Sequence, residues 1–318
     1  MVKVSFILPA YKKAYLKEAI ASILAQSYQD FKLVVVDDAS PENLKEIIDM
    51  FDDSRLSYYR NQENLGGKNL ISAWTKAMAY AEGEFCIVAS DDDIYHKDYL
   101  ITMLNLSEKY PEVDLFHCRI ARIDQFGKIS DLGNSRAEFE TQLQFIYSRI
   151  GQRYLQILPD FMFRLSKWRK IGGFIDFPVG YFSDDATWIL IGDQGVACAN
   201  DILFFVRNSG INISNRNDNN LPKMQATLQF MEWLGPVIDS VVLHKNENEI
   251  HRALVKAKSL DATCNFLYYL ASNATTREVL YITKHEQNLS KYVRNQLIKR
   301  LIRRYIDKII HFLTLNHL

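Results

Sequence analysis

The sequence predicts an α/β fold in which a mostly parallel mixed sheet is flanked by helices and followed by a helical C-terminal extension. Short apolar, β-branched segments alternate with helix-like segments through the first half of the chain, an order that is typical of parallel α/β sheets. From residue 221 onward the pattern is mainly helical. We therefore expect one domain over residues 1–220 and a helical region over residues 221–318.

The first half of the chain contains four predicted strands and the helices that connect them. The strands are the apolar segments 2–8, 32–36, 56–60 and 85–89. The helices are expected at 16–26, 41–51 and 69–81. Ser40 and Pro41 mark the start of the second helix, because serine caps helices and proline is tolerated at the first helical position. The β-α-β order implies a doubly wound sheet that binds ligands at the carboxyl ends of its strands.

Polar residues follow three of these strands directly. Pro9-Ala10-Tyr11 comes after the first strand, Asp37-Asp38 after the second and Asp91-Asp92-Asp93 after the fourth. Because the carboxyl ends of parallel strands meet at one edge, we expect the three clusters to lie together. Closely spaced aspartates can hold a divalent cation. Taken alone, such a run is also typical of an acidic turn or a helix cap.

The composition limits the classes of protein. Lys+Arg and Asp+Glu are both 38 and the formal net charge is +0, which argues against nucleic acid as a partner. The four cysteines are far apart and lack metal-site spacing, so we interpret them as reduced core residues of a cytoplasmic protein. We see neither a signal peptide nor an apolar run of about 18 residues that could span a bilayer. Attachment to a membrane surface stays open.

Several motifs occur along the chain in a fixed order. They are the segments 4–11, 33–40, 81–85 and 90–93, followed by 168–174 and the pair Asp184-Asp185. Over about residues 1–215 this series resembles the family 2 glycosyltransferases. The resemblance implies a Rossmann-like, GT-A-type fold and inverting transfer of a sugar from a nucleotide-sugar, a UDP-sugar, to an acceptor hydroxyl. It also implies a divalent cation, Mn²⁺ or Mg²⁺, on the diphosphate.

The resemblance assigns the donor-binding residues. Pro9, Ala10 and Tyr11 would line the nucleotide pocket, with Tyr11 near the base. Asp38 would accept a hydrogen bond from the base, uracil, and Lys68 would lie near the diphosphate or base. Each has a plainer alternative: Tyr11 as a half-buried packing residue, Asp38, or equally Asp37, as part of an Asx-turn ahead of Pro41 and Lys68 as a solvated lysine at a helix start.

The acidic run would serve the ribose and the metal. Asp91 resembles the ribose contact, and Asp92 and Asp93 are both candidate metal ligands that the sequence does not separate. Many family members carry a histidine where this chain has Asn208, and asparagine is a weaker, neutral ligand. This departure argues against a third protein ligand. It is also the main support for the alternative hypothesis, a catalytically silent nucleotide-sugar-binding or scaffold protein.

The pair Asp184-Asp185 corresponds to the family's acceptor-side acids. Inverting transfer needs a carboxylate that takes the proton of the acceptor hydroxyl, and the resemblance assigns this role to Asp185. Asp184 stands where glutamate is commoner. The alternative is that both acids stabilise the N-terminus of a helix over 186–191 through its dipole.

The C-terminal segment 289–318 is strongly basic, with seven Lys and Arg side chains and one Asp. Its apolar residues share one face of a helical wheel and its bases the other, which suits an anionic membrane surface. The apolar face could equally pack on the preceding helices. If the segment binds membrane, the acceptor would be a lipid-linked glycan, as in surface polysaccharide synthesis, and the protein would be peripheral on the inner face of the cell membrane. The sequence leaves a homo-oligomer open.

Overall fold

The computed structural model describes residues 2–208, 220–285, 291, 293–299 and 302–303. Over this part of the chain ten strands form one mixed sheet. The strands are β1 Val4–Ala10, β2 Phe31–Asp37, β3 Leu56–Arg60, β4 Phe85–Val88, β5 Ile94–Tyr95, β6 Leu115–Ile123, β7 Ile129–Leu132, β8 Phe139–Glu140, β9 Phe161–Arg164 and β10 Val196–Arg207. The helices are α1 Leu16–Leu24, α2 Lys45–Ile48, α3 Leu70–Met78, α4 Tyr99–Lys109, α5 Gln142–Ile150, α6 Leu165–Lys170, α7 Ser183–Ile191, α8 Asn220–Ser240, α9 Glu249–Asn273 and α10 Thr276–His285.

Most of the strands run in the same direction, so their carboxyl ends lie along one edge of the sheet. The path is β3-β2-β1-β4-β9-β6-β10-β5, with β7 beside β6 and β8 beside β10. Strands β1 to β4 are parallel, β9 is antiparallel to both β4 and β6, and β10 is parallel to β6. The strands β1, β2, β4, β6 and β10 therefore all end at the same edge. This confirms the predicted mostly parallel mixed sheet.

The four predicted strands correspond to β1–β4, with ends that differ by no more than two residues. The second predicted helix is wrong in extent, because α2 covers only Lys45–Ile48. Ser40 does not cap a helix that begins at Pro41. Its hydroxyl instead donates to the carbonyl of Tyr11 at 2.6 Å and accepts from the backbone N–H of Glu42 at 3.1 Å. This contact with the residue that follows β1 takes the place of the helical turn that the sequence predicts at Pro41.

The core lies on both faces of the sheet. Because side chains alternate along a strand, Phe6 and Leu8 pack on one face with α1 and α4, and Ile7 packs on the other with α3, α5 and α7. All four cysteines are free thiols, and three of them are buried, which agrees with their interpretation as reduced core residues.

The C-terminal helices pack against the helices of the sheet. The rings of Phe182 and Phe230 stack at 4.5 Å, and α8 and α9 contribute to the same core cluster as Ile7. The division near residue 220 coincides with the start of α8 and stays a prediction. No helix in the described part of the chain combines the length and the apolarity needed to cross a bilayer.

Most of the predicted basic amphipathic segment, including residues 304–318, lies outside the described residues. Of the part that is described, Val293 and Leu297 are buried against Met224 and Leu270. At least one side of this segment therefore packs on the preceding helices.

Gly195 joins β10 to the turn before it, and its backbone favours glycine. Its φ is +103°, and a Cβ there would lie 2.5 Å from the Phe139 ring and 2.9 Å from the carbonyl of Glu140. We expect Gly195→Ala to lower the free energy of unfolding by about 3 kcal/mol, since strain and overpacking add. Urea denaturation measures the change. Gly127→Ala is the control, because its φ is +81° but a Cβ would meet nothing within 4 Å. Only backbone strain should act there, and the free energy of unfolding should fall by only about 1 kcal/mol. Equal losses would contradict the clash.

Candidate active site

The structure brings the three predicted polar clusters together at the carboxyl edge of the sheet. The backbone N–H groups of Tyr11 and Lys12 donate to one oxygen of Asp91, at 2.9 and 2.7 Å. The backbone N–H of Asp38 donates to the carbonyl of Ala10 at 2.9 Å. The end of β1 is thus hydrogen-bonded to the residues that follow β2 and β4, as the predicted topology requires.

The residues predicted for the nucleotide pocket form a rim around the end of β1. Pro9 pairs with Val36 in the parallel ladder, and Ala10 is buried. The ring of Tyr11 is 42% exposed, whereas its backbone is held by Asp91. An exposed aromatic ring on a fixed backbone can stack against a planar base at little entropic cost. Tyr11 is therefore not enclosed in the core, and its predicted place near the base stays a prediction.

Asp38 is buried and organises the loop that leads to α3. Its carboxylate accepts hydrogen bonds from the Asn61 side chain at 2.8 Å and from the backbone of Leu65 at 3.0 Å and Gly66 at 2.7 Å. The local contact ahead of Pro41 is made by Asp37, whose side chain accepts from the backbone N–H of Ser40, three residues along the chain, at 2.8 Å. Contact between Asp38 and a base stays a prediction.

Lys68 lies on the surface beyond this loop. Its ammonium pairs with Glu63 at 2.5 Å, and both side chains are more than half exposed. The arrangement matches the plainer alternative, a solvated lysine near a helix start. Its predicted role near the diphosphate or base stays a prediction.

Asp91 and Asp92 share one cationic partner. The ammonium of Lys12 contacts the Oδ2 atom of Asp92 and lies 3.2 Å from the Oδ1 atom of Asp91. Burial disfavours the charged ammonium, but the two carboxylates outweigh it and raise the pKa of Lys12. Burial also raises the pKa of Asp91, which Lys12 partly offsets. The two carboxylates thus point at a common position that a cation can fill.

Asp93 faces inward and is satisfied by the protein. One oxygen accepts the backbone N–H of Arg207 at 2.8 Å, and the other accepts the hydroxyl of Ser90. Burial and the charge of Asp92 raise the pKa of Asp93 to about 7. Its contacts are those of a structural residue that joins the end of β4 to the end of β10.

Arg207 was not singled out by the sequence, yet it connects three parts of the site. Its guanidinium donates to the carbonyl of Asp92 at 2.9 Å and to the carboxylate of Glu18 at 2.6 Å, and lies 4.3 Å from the centre of the Tyr15 ring. The side chain is buried. It supplies positive charge beneath the acidic run and fixes that run's backbone against α1.

The second acidic pair lies in the first turn of α7. The helix begins at Ser183, after Phe182 with a φ of +67°, so the pair lies inside the helix and does not cap it. Burial and the charge of Asp185 raise the pKa of Asp184 to about 7. The guanidinium of Arg149, at the end of α5, binds both oxygens of Asp185, with Nη2 at 2.6 Å from Oδ2. Such a bidentate pair fixes the orientation of the carboxylate.

The N-terminus of α7 lies beside the N-terminus of α3. The side chain of Asn69, the N-cap of α3, donates to Asp176 at 2.9 Å. A Cβ on Gly180 would contact Leu70 at 3.2 Å. Since α3 follows the loop held by Asp38, the start of α7, which carries Asp184 and Asp185, lies at the same edge of the sheet as Asp38.

Among the described residues, few side chains lie close enough together to serve as ligands of one metal ion. Over the described ranges, no group of three or more His, Cys, Asp or Glu side chains is arranged to hold a metal ion. Asn208 is exposed, and its backbone N–H donates to the carbonyl of Ile123 at 2.8 Å. Residues 209–214, which follow Asn208 in the family-like segment, lie outside the described residues. A cation here would complete its coordination with phosphate oxygens and water.

A separate buried network surrounds His117 in β6. Its Nδ1 lies 3.3 Å from Asp160, and its Nε2 lies 2.8 Å from the guanidinium of Arg136. Burial and the charge of Arg136 lower the pKa of His117. The histidine is a fully enclosed strand residue, and its partners keep the neutral ring in place.

Comparison with known proteins agrees with these features. Residues 5–173, a little over half of the chain, match the model of Glycosyl transferase family 2. The Escherichia coli UDP-Glc:alpha-D-GlcNAc-diphosphoundecaprenol beta-1,3-glucosyltransferase WfgD is 31% identical over 107 residues, which are 33% of this chain and 41% of that protein. The chain matches less than half of the length of the curated relatives that it resembles.

Two solved structures share the fold. One is S. aureus TarS, residues 1–349, in complex with UDP-GlcNAc, with a TM-score of 0.65, 16% identity and coverage of 94% of this chain and 89% of that chain. The other is the mannosyltransferase PcManGT from Pyrobaculum calidifontis in complex with GDP-Man and Mn²⁺, with a TM-score of 0.55, 16% identity and coverage of 96% and 88%. With its GT-A-type fold and its matched motifs, the chain belongs to glycosyl transferase family 2.

Proposed function

We propose that the protein is an inverting, metal-dependent glycosyltransferase that moves a sugar from a UDP-sugar to a hydroxyl of a lipid-linked glycan. One observation carries the proposal: the sheet edge holds two separate acidic sites, Asp91-Asp92 beside the exposed Tyr11 ring and Asp185 at the start of α7. The names of WfgD and of the TarS complex, which contain UDP-Glc, diphosphoundecaprenol and UDP-GlcNAc, support the donor and acceptor classes.

The donor would bind along the rim of β1. Tyr11 would stack on the base, with Pro9 and Ala10 beneath it, and Asp38 would accept a hydrogen bond from the base. The buried position of Asp38, already held by the backbone of Leu65 and Gly66, supports a fixed orienting carboxylate. Lys68 would have to leave Glu63 to approach the diphosphate.

A divalent cation, Mn²⁺ or Mg²⁺, would be held by Asp92, with the Oδ1 atom of Asp91 beside it. The donor set fits, because a single ammonium already contacts both carboxylates and hard cations prefer such oxygens. When bound, the ion would neutralise the diphosphate that leaves. Asp93 is a weaker candidate, since both of its oxygens accept hydrogen bonds from the protein. Mn²⁺ in the PcManGT complex supports the assignment.

Asp185 would act as the general base on the acceptor side. It would take the proton of the acceptor hydroxyl while that oxygen attacks the anomeric carbon and the bond to the UDP oxygen breaks. The bidentate contact with Arg149 occupies one side of the carboxylate and leaves its remaining lone pairs for the acceptor. The carboxylate lies in the first turn of α7, where the helix dipole is positive.

We also propose that the C-terminal segment contacts an anionic membrane surface. Lys299 and Arg303 are exposed, as are the apolar side chains of Ile298 and Ile302, at 40% and 54%. Bases beside exposed apolar groups suit the boundary between lipid headgroups and acyl chains. Such a contact would bring the edge of the sheet towards a lipid-linked acceptor.

The general-base assignment can be tested with Asp185→Asn. We expect transfer to fall about 10³-fold, because the amide cannot take a proton, while UDP-sugars still raise the melting temperature. The assay uses UDP-Glc, UDP-GlcNAc, UDP-Gal and GDP-Man with Mn²⁺ and a diphosphate-lipid-linked sugar. Asp193→Asn, an equivalent change at a surface ion pair, should leave transfer unchanged. Wild-type activity in Asp185→Asn would refute the base, and a lack of response to every donor would favour the silent scaffold.

The structural role of Asp93 predicts a pH dependence of stability. Its pKa is raised to about 7 in the folded protein, so between about pH 4 and pH 7 the unfolded chain loses this proton and the folded chain keeps it. Stability should therefore fall as pH rises through this window. Asp93→Asn lacks the titrating carboxyl and should not lose stability in this way. The free energy of unfolding of Asp93→Asn minus that of the wild type should therefore be about 2 kcal/mol larger at pH 8 than at pH 5. Urea denaturation at both pH values measures this, and a constant difference would contradict it.

Membrane contact can be tested by sedimentation with lipid vesicles. The double change Lys299→Glu and Arg303→Glu should weaken binding to phosphatidylglycerol-containing vesicles at least about tenfold, since each base near an anionic surface contributes about 1 kcal/mol. Lys256→Glu, a charge reversal on α9, is the control and should have little effect. The proposal fails if the wild-type protein does not sediment with anionic vesicles, or sediments equally with neutral ones.

A further inference from the structure

Lys12 places a positive charge between the two carboxylates of the donor-side site. Its ammonium contacts Asp92 and lies 3.2 Å from Asp91. The side chain is only 22% exposed, and both carboxylates are less than 10% exposed. Its own backbone N–H donates to Asp91 at 2.7 Å, so the start of the side chain is fixed by the end of β1. Lys12 is therefore a tethered cation at the position where the two carboxylates converge.

The adjacent lysine shows that this placement is specific. Lys13 carries the same charge one residue along the chain, but its ammonium pairs with Glu46 at 2.6 Å and its backbone N–H donates to Glu42. Both partners of Lys13 follow β2 and lie outside the acidic run. The loop thus separates two chemically identical side chains, and only one of them reaches the site.

We propose that Lys12 determines when the site accepts a divalent ion. In the nucleotide-free protein its ammonium fills the position between Asp91 and Asp92, and a divalent ion displaces it only when a nucleotide diphosphate binds as well. The inference rests on the proposed function, because it takes these two carboxylates as the cation ligands.

The physical reason is competition for the same oxygens. An ammonium and a divalent ion cannot share so small a site, because like charges at this separation repel strongly. A divalent ion alone would have to replace a satisfied ion pair and would find few protein ligands, since the described residues offer no group of three. A diphosphate changes both conditions. Its oxygens complete the coordination of the ion, and its charge gives the displaced ammonium a new partner.

The experiment measures Mn²⁺ binding by titration calorimetry without any turnover. In the absence of nucleotide, Lys12→Met should bind Mn²⁺ at least tenfold more tightly than the wild type, and Lys12→Gln should do the same. Lys13→Met is the matched control and should bind Mn²⁺ as the wild type does. Melting temperature gives a second readout: Lys12→Met should melt lower than the wild type in a chelator and recover when MnCl₂ is added, because the ion replaces the lost charge.

The outcomes separate the inference from the proposed function. Equal Mn²⁺ affinity in the wild type, Lys12→Met and Lys12→Gln without nucleotide would overturn the inference while leaving the function intact. Weaker Mn²⁺ binding by Lys12→Met than by the wild type in the absence of nucleotide would also overturn it, since Lys12 would then assist the ion. If the wild type binds neither UDP nor Mn²⁺ together with UDP, the proposed function fails and the inference fails with it.

Discussion

The site depends on one interaction, in which the buried carboxylate of Asp91 accepts hydrogen bonds from two backbone N–H groups. These donors belong to Tyr11 and Lys12 at the end of β1, whereas Asp91 follows β4. Charge-assisted hydrogen bonds of this kind are stronger than neutral ones and fix geometry as well as distance. They define where the Tyr11 ring stands, where the Lys12 ammonium can reach and how the acidic run faces the cleft. The donor-side geometry is therefore set by the ends of two adjacent strands and not by a flexible loop.

Burying three consecutive aspartates is costly, and the surrounding residues show how the cost is offset. Burial raises the pKa of Asp91 and Asp93, the expected response of a carboxylate that has lost water. Lys12 compensates the side that faces the cleft, and on the side that faces the core the backbone N–H of Arg207 donates to Asp93 while its guanidinium donates to the carbonyl of Asp92. The cation on the inner side is enclosed, whereas the one on the cleft side keeps some contact with solvent. That asymmetry supports our proposal that the outer cation is the exchangeable one.

The sequence predicts the fold better than it predicts the contacts within the site. The positions of β1 to β4 along the chain and their convergence at the carboxyl edge follow from the apolar segments and from the polar residues after them. The extent of α2 does not, because a hydrogen bond from Ser40 to Tyr11 replaced the cap. The partners Lys12, Arg149 and Arg207 were missed for a related reason. A lone basic residue carries no pattern, and its role depends on acids that are distant in sequence, as Arg149 and Asp185 are.

The two acidic sites of the edge have different cationic partners, which supports the different tasks that we propose for them. On the donor side, Asp92 meets an ammonium on a flexible four-carbon side chain, a point charge that can move without disturbing the backbone. On the acceptor side, Asp185 meets a planar guanidinium that binds both of its oxygens, an arrangement that resists rotation of the carboxylate. Under the function that we propose, Asp92 would exchange one cation for another as the nucleotide comes and goes, whereas Asp185 would hold one orientation towards the acceptor. Lysine on the first site and arginine on the second fit that division.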